Sequence, residues 1–206
     1  MTDAGRPALL LASTSPRRRK LLAQAGLEFA VIAPGADGGV DETPLPGEAP
    51  AAYVERLARA KARAGLLEAR RQGHGGALLV LGADTTVAVD AELLGKPVDD
   101  QDARRMLRLL SGRSHQVLTG LCLDDGMEAR CCVSISSVTF RTLSERDVDD
   151  YVASREPFDK AGGYGIQGRA ALLVKRLEGS YSGVMGLPLC ELGELLETCL
   201  ALRSRR

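Results

Sequence analysis

Ser13, Ser15, Pro16, Arg17 and Arg18 crowd into six residues, between the apolar run 8–12 and a helical pattern over residues 19–25. Pro16 suits the first helical position, because the amide hydrogen it lacks has no partner there. Ser15 before it is a good N-cap and Gly26 a good stop. This register puts Arg17 and Arg18 in the first helical turn, where a cation is disfavoured by a few tenths to about 1 kcal/mol. An anion at the same place would account for both. Free amides, the Ser13 and Ser15 hydroxyls and two guanidiniums together make a phosphate site. The alternative is a pair of solvated arginines in an arginine-rich chain.

Asp84 follows the apolar residues 78–83, which places it at the carboxyl end of a buried strand, where open α/β sheets keep their ligand crevices. There it can hold a divalent cation or take a proton from water; a turn-forming aspartate is the alternative. The chain has 22 arginines against five lysines, so each lysine suggests a position that needs a compact point charge. Lys96, in Gly95-Lys96-Pro97, and Lys160, in Asp159-Lys160-Ala161-Gly162-Gly163, fall in loop-like stretches, and Lys61 sits late in a helical pattern. Residues 163–168 match the dinucleotide pattern G-x-G-x-x-G by letter, but no strand precedes them and a strand-like run follows, so we reject that reading. A flexible loop that carries Lys160 and Gln167 to a ligand fits better. Residues 179–183 form a second glycine-flanked loop. His74 and His115 stand apart and read as structural or solvated.

Composition removes several functions. With 27 basic and 27 acidic residues there is no net field for nucleic acid or membrane. Aromatic residues are 3% with no tryptophan, too few for base-stacking platforms. Cys122, Cys131, Cys132, Cys190 and Cys199 show no metal-binding spacing and read as reduced thiols of a cytoplasmic protein. No signal-peptide pattern or apolar stretch of about 20 residues appears.

The elements that must position these groups follow from periodicity. Strands are expected at 8–12, 28–33, 77–82, 87–89, 92–94, 116–123, 129–142 and 170–176. Helices are expected at 16–25, 51–71, 99–110, 145–154 and 187–202. Residues 34–49 read as an exposed loop. The fold class is α/β: one domain over residues 1–206, with a mixed β-sheet, flanking helices and two lobes around a central cleft.

Read in order, Ser13-x-Ser15-Pro16-Arg17-Arg18, Gly82-Ala83-Asp84-Thr85, Gly95-Lys96-Pro97, Ser111-Gly112, Lys160-Ala161-Gly162 and Gly186-Leu187-Pro188 resemble the Maf family of nucleoside triphosphate pyrophosphatases. The resemblance runs over about residues 8–200. It implies an ITPase-like two-lobed fold and hydrolysis of a nucleoside triphosphate between its α and β phosphates, with Mg²⁺ or Mn²⁺ as cofactor. It implies Asp84 as proton acceptor and metal ligand. The further acid aligns with Glu42, or with Asp41, in a loop (residues 35–43) that is longer than usual. Ser13, Ser15, Arg18, Lys61, Lys96 and Lys160 would bind phosphate. Arg17, Thr85 and Gln167 stand where the branch acting on 7-methyl-GTP has Trp, Gln and Glu, and match the dTTP/UTP branch. A neutral amide suits the imide edge of uracil or thymine, whereas a carboxylate suits a cationic methylated guanine. A homodimer is compatible with the resemblance. The rival readings are a pyrophosphatase of broader modified-nucleotide scope and a nucleotide-binding regulator with little turnover.

Overall fold

The computed structural model describes residues 7–33, 39–90 and 92–203. Seven strands among them form one sheet: β1 (Ala8–Leu11), β2 (Ala30–Val31), β3 (Leu78–Val89), β4 (Glu92–Leu94), β5 (Ser114–Asp124), β6 (Ala129–Phe140) and β7 (Val174–Glu178). Their order is β2-β1-β3-β5-β6-β7, with β4 added to β3. β1 runs parallel to β2 and β3, and the other pairings are antiparallel. The helices are α1 (Pro16–Gln24), α2 (Pro50–Arg71), α3 (Asp100–Leu110), α4 (Glu145–Ala153), the short α5 (Tyr181–Val184) and α6 (Leu189–Arg203). The expected α/β class with a mixed sheet is what the chain adopts.

The two faces of the sheet are covered unequally. Side chains alternate along a strand, and the even-numbered positions of β3 and β5 face α2. Leu118 and Ala88 pack with Val54, Cys122 with Ala58 and Ala62, and Val80 with Leu66 and Ala69. The odd-numbered positions face the remaining helices in two separate clusters. Leu79, Leu81 and Ala83 pack with Leu21, Leu22 and Leu192, while Val87 and Val89 join Leu107, Val148 and Phe140. These two clusters occupy the two ends of β3, and the strand passes from one to the other at residues 84–86.

α2 lies unusually close to the sheet. A Cβ on Gly82 would come within 2.2 Å of the Ala58 carbonyl oxygen, and one on Gly120 within 2.3 Å of the Val54 carbonyl oxygen. Only glycine allows backbone to meet backbone there. The contact fixes the height of the next turn of α2, which carries Lys61, above Asp84.

Several boundaries differ from the sequence expectation. Asp84 does not end a strand, because β3 is continuous for 12 residues and includes the expected separate strand 87–89. The β-branched pair Thr85 and Thr86 sustains it. The expected strand 28–33 pairs only at Ala30–Val31. Residues 170–176 divide into a 3₁₀ turn at Arg169–Leu172 and β7. The second glycine-flanked loop contains α5, capped by the Ser180 side chain. Ser15 occupies the N-cap position of α1 but makes no side-chain capping bond. In the loop read as 35–43, residues 35–38 lie outside the described residues, and Gly39 to Thr43 have no regular structure.

Candidate functional site

β1 pairs with β3 only up to Leu11↔Leu81, and β4 begins to pair at Val87↔Leu94. Between them the outer edge of β3, residues 82–86, has no strand beside it among the described residues. Of the predicted site residues, Asp84, Lys61, Glu42, Arg18, Ser13 and Thr85 meet at this notch. The β1–α1 turn borders it on one side and the Gly95–Pro97 turn follows β4 on the other. The 3₁₀ segment at Ala161–Gly163 is fastened to that second turn, since the Gly162 amide donates to the Gly95 carbonyl at 2.9 Å.

Asp84 projects from the notch toward α2. Its Oδ1 accepts from Lys61 Nζ at 2.6 Å, and the same ammonium lies 2.6 Å from Glu42 Oε1. Tyr53, one α2 turn before Leu57, donates its hydroxyl to the Glu42 carbonyl at 2.9 Å. Asp41 points elsewhere and accepts from the Thr43 amide at 2.9 Å. Of the two acids the sequence left open, Glu42 is therefore the one that reaches the site. Asp84 is only 7% exposed. Burial pushes its carboxyl above the ordinary carboxylate value, opposed by the charge and hydrogen bond of Lys61 and by the charge of Arg18, while Glu42 adds to the rise. A carboxylate poised this way is a stronger base than a surface aspartate.

Thr85, next along β3, points to the opposite face. Its Oγ1 lies 2.9 Å from Thr119 Oγ1, its directly opposed partner on β5. Arg18 reaches this face from the third residue of α1. It donates through Nη2 to Thr85 Oγ1 at 3.3 Å, through Nη1 to Ser13 Oγ at 3.2 Å and through Nε to the Gly186 carbonyl at 2.9 Å. Ser13 Oγ also accepts from the Ser15 amide at 3.2 Å. Burial lowers the Arg18 pKa, with Asp84 opposing the fall. The protein thus supplies acceptors to a guanidinium that the sequence assigned to a bound anion alone.

No hydrogen bond or ion pair among the described residues joins the remaining candidates to that cluster. Arg17 Nη2 donates to the Asp159 carbonyl at 3.4 Å. Lys160 Nζ donates to the Glu156 carbonyl at 2.8 Å and pairs with the Asp159 carboxylate, and its stem lies over Gly165. Lys96 and Gln167 are exposed, and neither side chain has a hydrogen bond or ion pair among the described residues. Sequence reasoning missed three groups. Tyr53 holds Glu42. Glu156 accepts from Tyr151 Oη at 2.8 Å and the Arg169 amide at 3.0 Å, which shapes the loop that carries Gln167. Thr119 was readable only as one polar residue in an apolar strand. His115 is buried and structural: its Nε2 lies 2.7 Å from Tyr164 Oη, and burial lowers its pKa to about 4.

Among the described residues no group of three or more His, Cys, Asp or Glu could enclose a metal ion. Asp84 and Glu42 do converge on one ammonium, in an open, oxygen-only arrangement. That set fits a hard cation held by one or two carboxylates, with substrate phosphates and water as the other ligands. It does not fit a closed protein cage. No helix among the described residues is long and apolar enough to cross a membrane.

A family model described as Maf-like protein matches residues 8–199. A dTTP/UTP pyrophosphatase of Dechloromonas aromatica is 54% identical over 195 residues, which is 92% of this chain and 96% of that protein. One of Aromatoleum aromaticum is 52% identical over 197 residues, 92% of this chain and 94% of its own. One of Escherichia coli is 48% identical over 198 residues, 96% of each chain. Among solved structures, the Ham1 protein of Staphylococcus aureus gives a TM-score of 0.45 at 17% identity, covering 65% of this chain and 71% of that one. That likeness is too loose to carry an argument.

Proposed function

The chain belongs to the Maf family, and from that premise we propose that it hydrolyses dTTP and UTP between the α and β phosphates, releasing the nucleoside monophosphate and pyrophosphate. The observation that carries this reading is the notch in β3, where a buried carboxylate contacts a lysine beside a second carboxylate and an arginine. Its full-length likeness to enzymes of that activity fits the same chemistry.

In this reading Asp84 accepts the proton of the water that attacks the α phosphorus. Its raised pKa brings its basicity closer to the task, and Lys61 keeps it ionised and aimed. Lys61, Lys96, Lys160 and Arg18, with the Ser13 and Ser15 hydroxyls, neutralise the triphosphate and the charge that grows on the departing pyrophosphate. Asp84 and Glu42 would hold Mg²⁺ or Mn²⁺, and the cation supplies further neutralisation of phosphate charge when bound. Arg17, Thr85 and Gln167 select the base. The amide of Gln167, which has no partner among the described residues, is able both to donate to and to accept from an imide edge. A binding-only regulator has no need of a base with a perturbed pKa, so the enzyme reading is preferred. The balanced charge suits free nucleotides in the cytoplasm, without nucleic acid or membrane; neither a monomer nor a homodimer conflicts with it.

Hydrolysis in ¹⁸O-labelled water, with Mg²⁺ or Mn²⁺ and a panel of triphosphates, tests the reading. The label should appear in dTMP or UMP, with unlabelled pyrophosphate released alongside. Label in pyrophosphate would mean attack at the β phosphorus. Release of orthophosphate with a nucleoside diphosphate would overturn the reaction itself.

A further inference from the structure

The hydroxyl contacts on the odd-numbered face of β3 have only one consistent donor order. Thr119 Oγ1 lies 2.8 Å from the Gly183 carbonyl oxygen, and a carbonyl only accepts. The single hydroxyl hydrogen of Thr119 is therefore committed to Gly183. In the 2.9 Å contact between the two threonines, Thr85 must then be the donor. Thr85 also accepts from Arg18 Nη2, so its one hydrogen and one of its lone pairs are used. What remains is a single lone pair on a part-exposed hydroxyl. Thr119 is 1% exposed and lies out of reach of a ligand in the notch. Its contacts also close a ring: Arg18 to Thr85, to Thr119, to Gly183, and back through the Gly186 carbonyl to Arg18 Nε.

We infer that Thr119 is a positioning residue for base selection: by taking the Thr85 hydrogen, it makes Thr85 an acceptor-only group. The inference rests on the reading that Thr85 faces the base. On the polar edge of uracil or thymine the only donor is the ring N3–H, flanked by two carbonyl oxygens. A hydroxyl that can only accept complements that donor. It repels cytosine, which presents a lone pair at the same ring nitrogen. The selectivity for an imide is thus set by a residue that does not touch the nucleotide.

The test compares kcat/KM for UTP and CTP in the wild-type protein and in Thr119→Val, Thr119→Ser and Thr85→Val, with thermal melts to establish that each variant is folded. Thr119→Val keeps the volume but frees the Thr85 hydrogen to turn outward. The UTP-to-CTP ratio should narrow by about tenfold, and Thr119→Ser, which keeps the hydroxyl, should restore it. Thr85→Val should narrow the ratio as well. An equal fall for both nucleotides in Thr119→Val, or a serine variant as impaired as the valine one, would reduce Thr119 to packing and overturn the inference. If Thr85→Val narrows the ratio and Thr119→Val does not, the inference fails while base selection by Thr85 stands. If Thr85→Val leaves the ratio unchanged, base selection by Thr85 fails and the inference with it. Should Thr119→Val not fold, Thr119→Cys, of similar size and weak in hydrogen bonding, carries the same readout.

Discussion

Asp84 and Thr85 are neighbours on one strand, yet the two faces they serve are built on different principles. On the α2 face, two carboxylates share one ammonium, and the three charged groups come from a loop, a helix and a strand. Nothing in that trio ties one backbone segment to another except through the charges themselves. On the opposite face, Arg18 and Thr119 bond to backbone carbonyls of the Gly183–Gly186 segment and hold it against the sheet, and Thr85 links the two side chains. Charges near a reacting bond must respond when substrate binds, whereas hydrogen-bonded groups that read a base must stay still. The molecule separates the two tasks by the alternation of a single β-strand.

The contrast predicts different signatures for variants on the two faces. The largest effect belongs to Asp84→Asn, which removes the base at almost no change in volume. Turnover of dTTP should fall about 10²–10⁴-fold. Stability should change little, because Lys61 keeps Glu42 as a partner. Steady-state kinetics and a denaturant melt decide this: activity within tenfold of the parent, or a protein that no longer folds, would erase the distinction.

Arg18→Ala comes next, and it should move stability and kinetics together. Three hydrogen bonds from one guanidinium are lost, and the Gly186 carbonyl loses its Arg18 donor. Bonds to charged groups are worth about 1.5–3 kcal/mol each, and relief of a cation in the first helical turn returns only about 1 kcal/mol or less. A net loss of about 3.5 kcal/mol or more in a denaturant melt is expected, with weaker triphosphate turnover. Unchanged stability would show that the ring does not hold the segment.

Glu42→Gln should have the smallest effect of the three. Glu42 is exposed, and its amide replacement still offers Lys61 an oxygen. Stability should stay within about 0.5 kcal/mol, as for most surface substitutions. The change should show as a higher Mg²⁺ requirement, read by titrating the metal against rate. An unaltered metal dependence would remove Glu42 from the cation site.

How much of this was legible beforehand follows from whether a signal is local. α3 was readable because its start and stop are written in adjacent residues: Asp99 caps the Asp102 amide, and Ser111-Gly112 closes the helix. The Arg17–Arg18 turn was placed correctly by Pro16 for the same reason. Asp84 was identified but put at a strand end. The notch beside it arises because β1 stops and β4 starts on the same edge, which is a fact about pairing and not about residues 82–86 themselves. The choice between Asp41 and Glu42 needed Lys61 and Tyr53, both on α2 and distant in sequence. Arg18 was read as waiting for an anion because its partners at Gly186 and Thr85 lie far along the chain. Thr119 was missed because a single threonine in residues 116–123 carries no signal until its register partner is known to be Thr85.

The central claim is that Asp84 is the base and that its proton affinity is a balance between burial and Lys61. The pH dependence of kcat/KM for dTTP reports the free enzyme, so it tests this balance directly, measured for the wild-type protein and for Lys61→Gln. Burial predicts an acid limb set above the ordinary aspartate value of 3.8, and loss of the Lys61 charge should carry that limb further up in pH. Groups on the substrate titrate identically in both proteins, so the displacement between the two curves belongs to the enzyme. An acid limb that stays in place when Lys61 is replaced would contradict the assignment of Asp84 as the base.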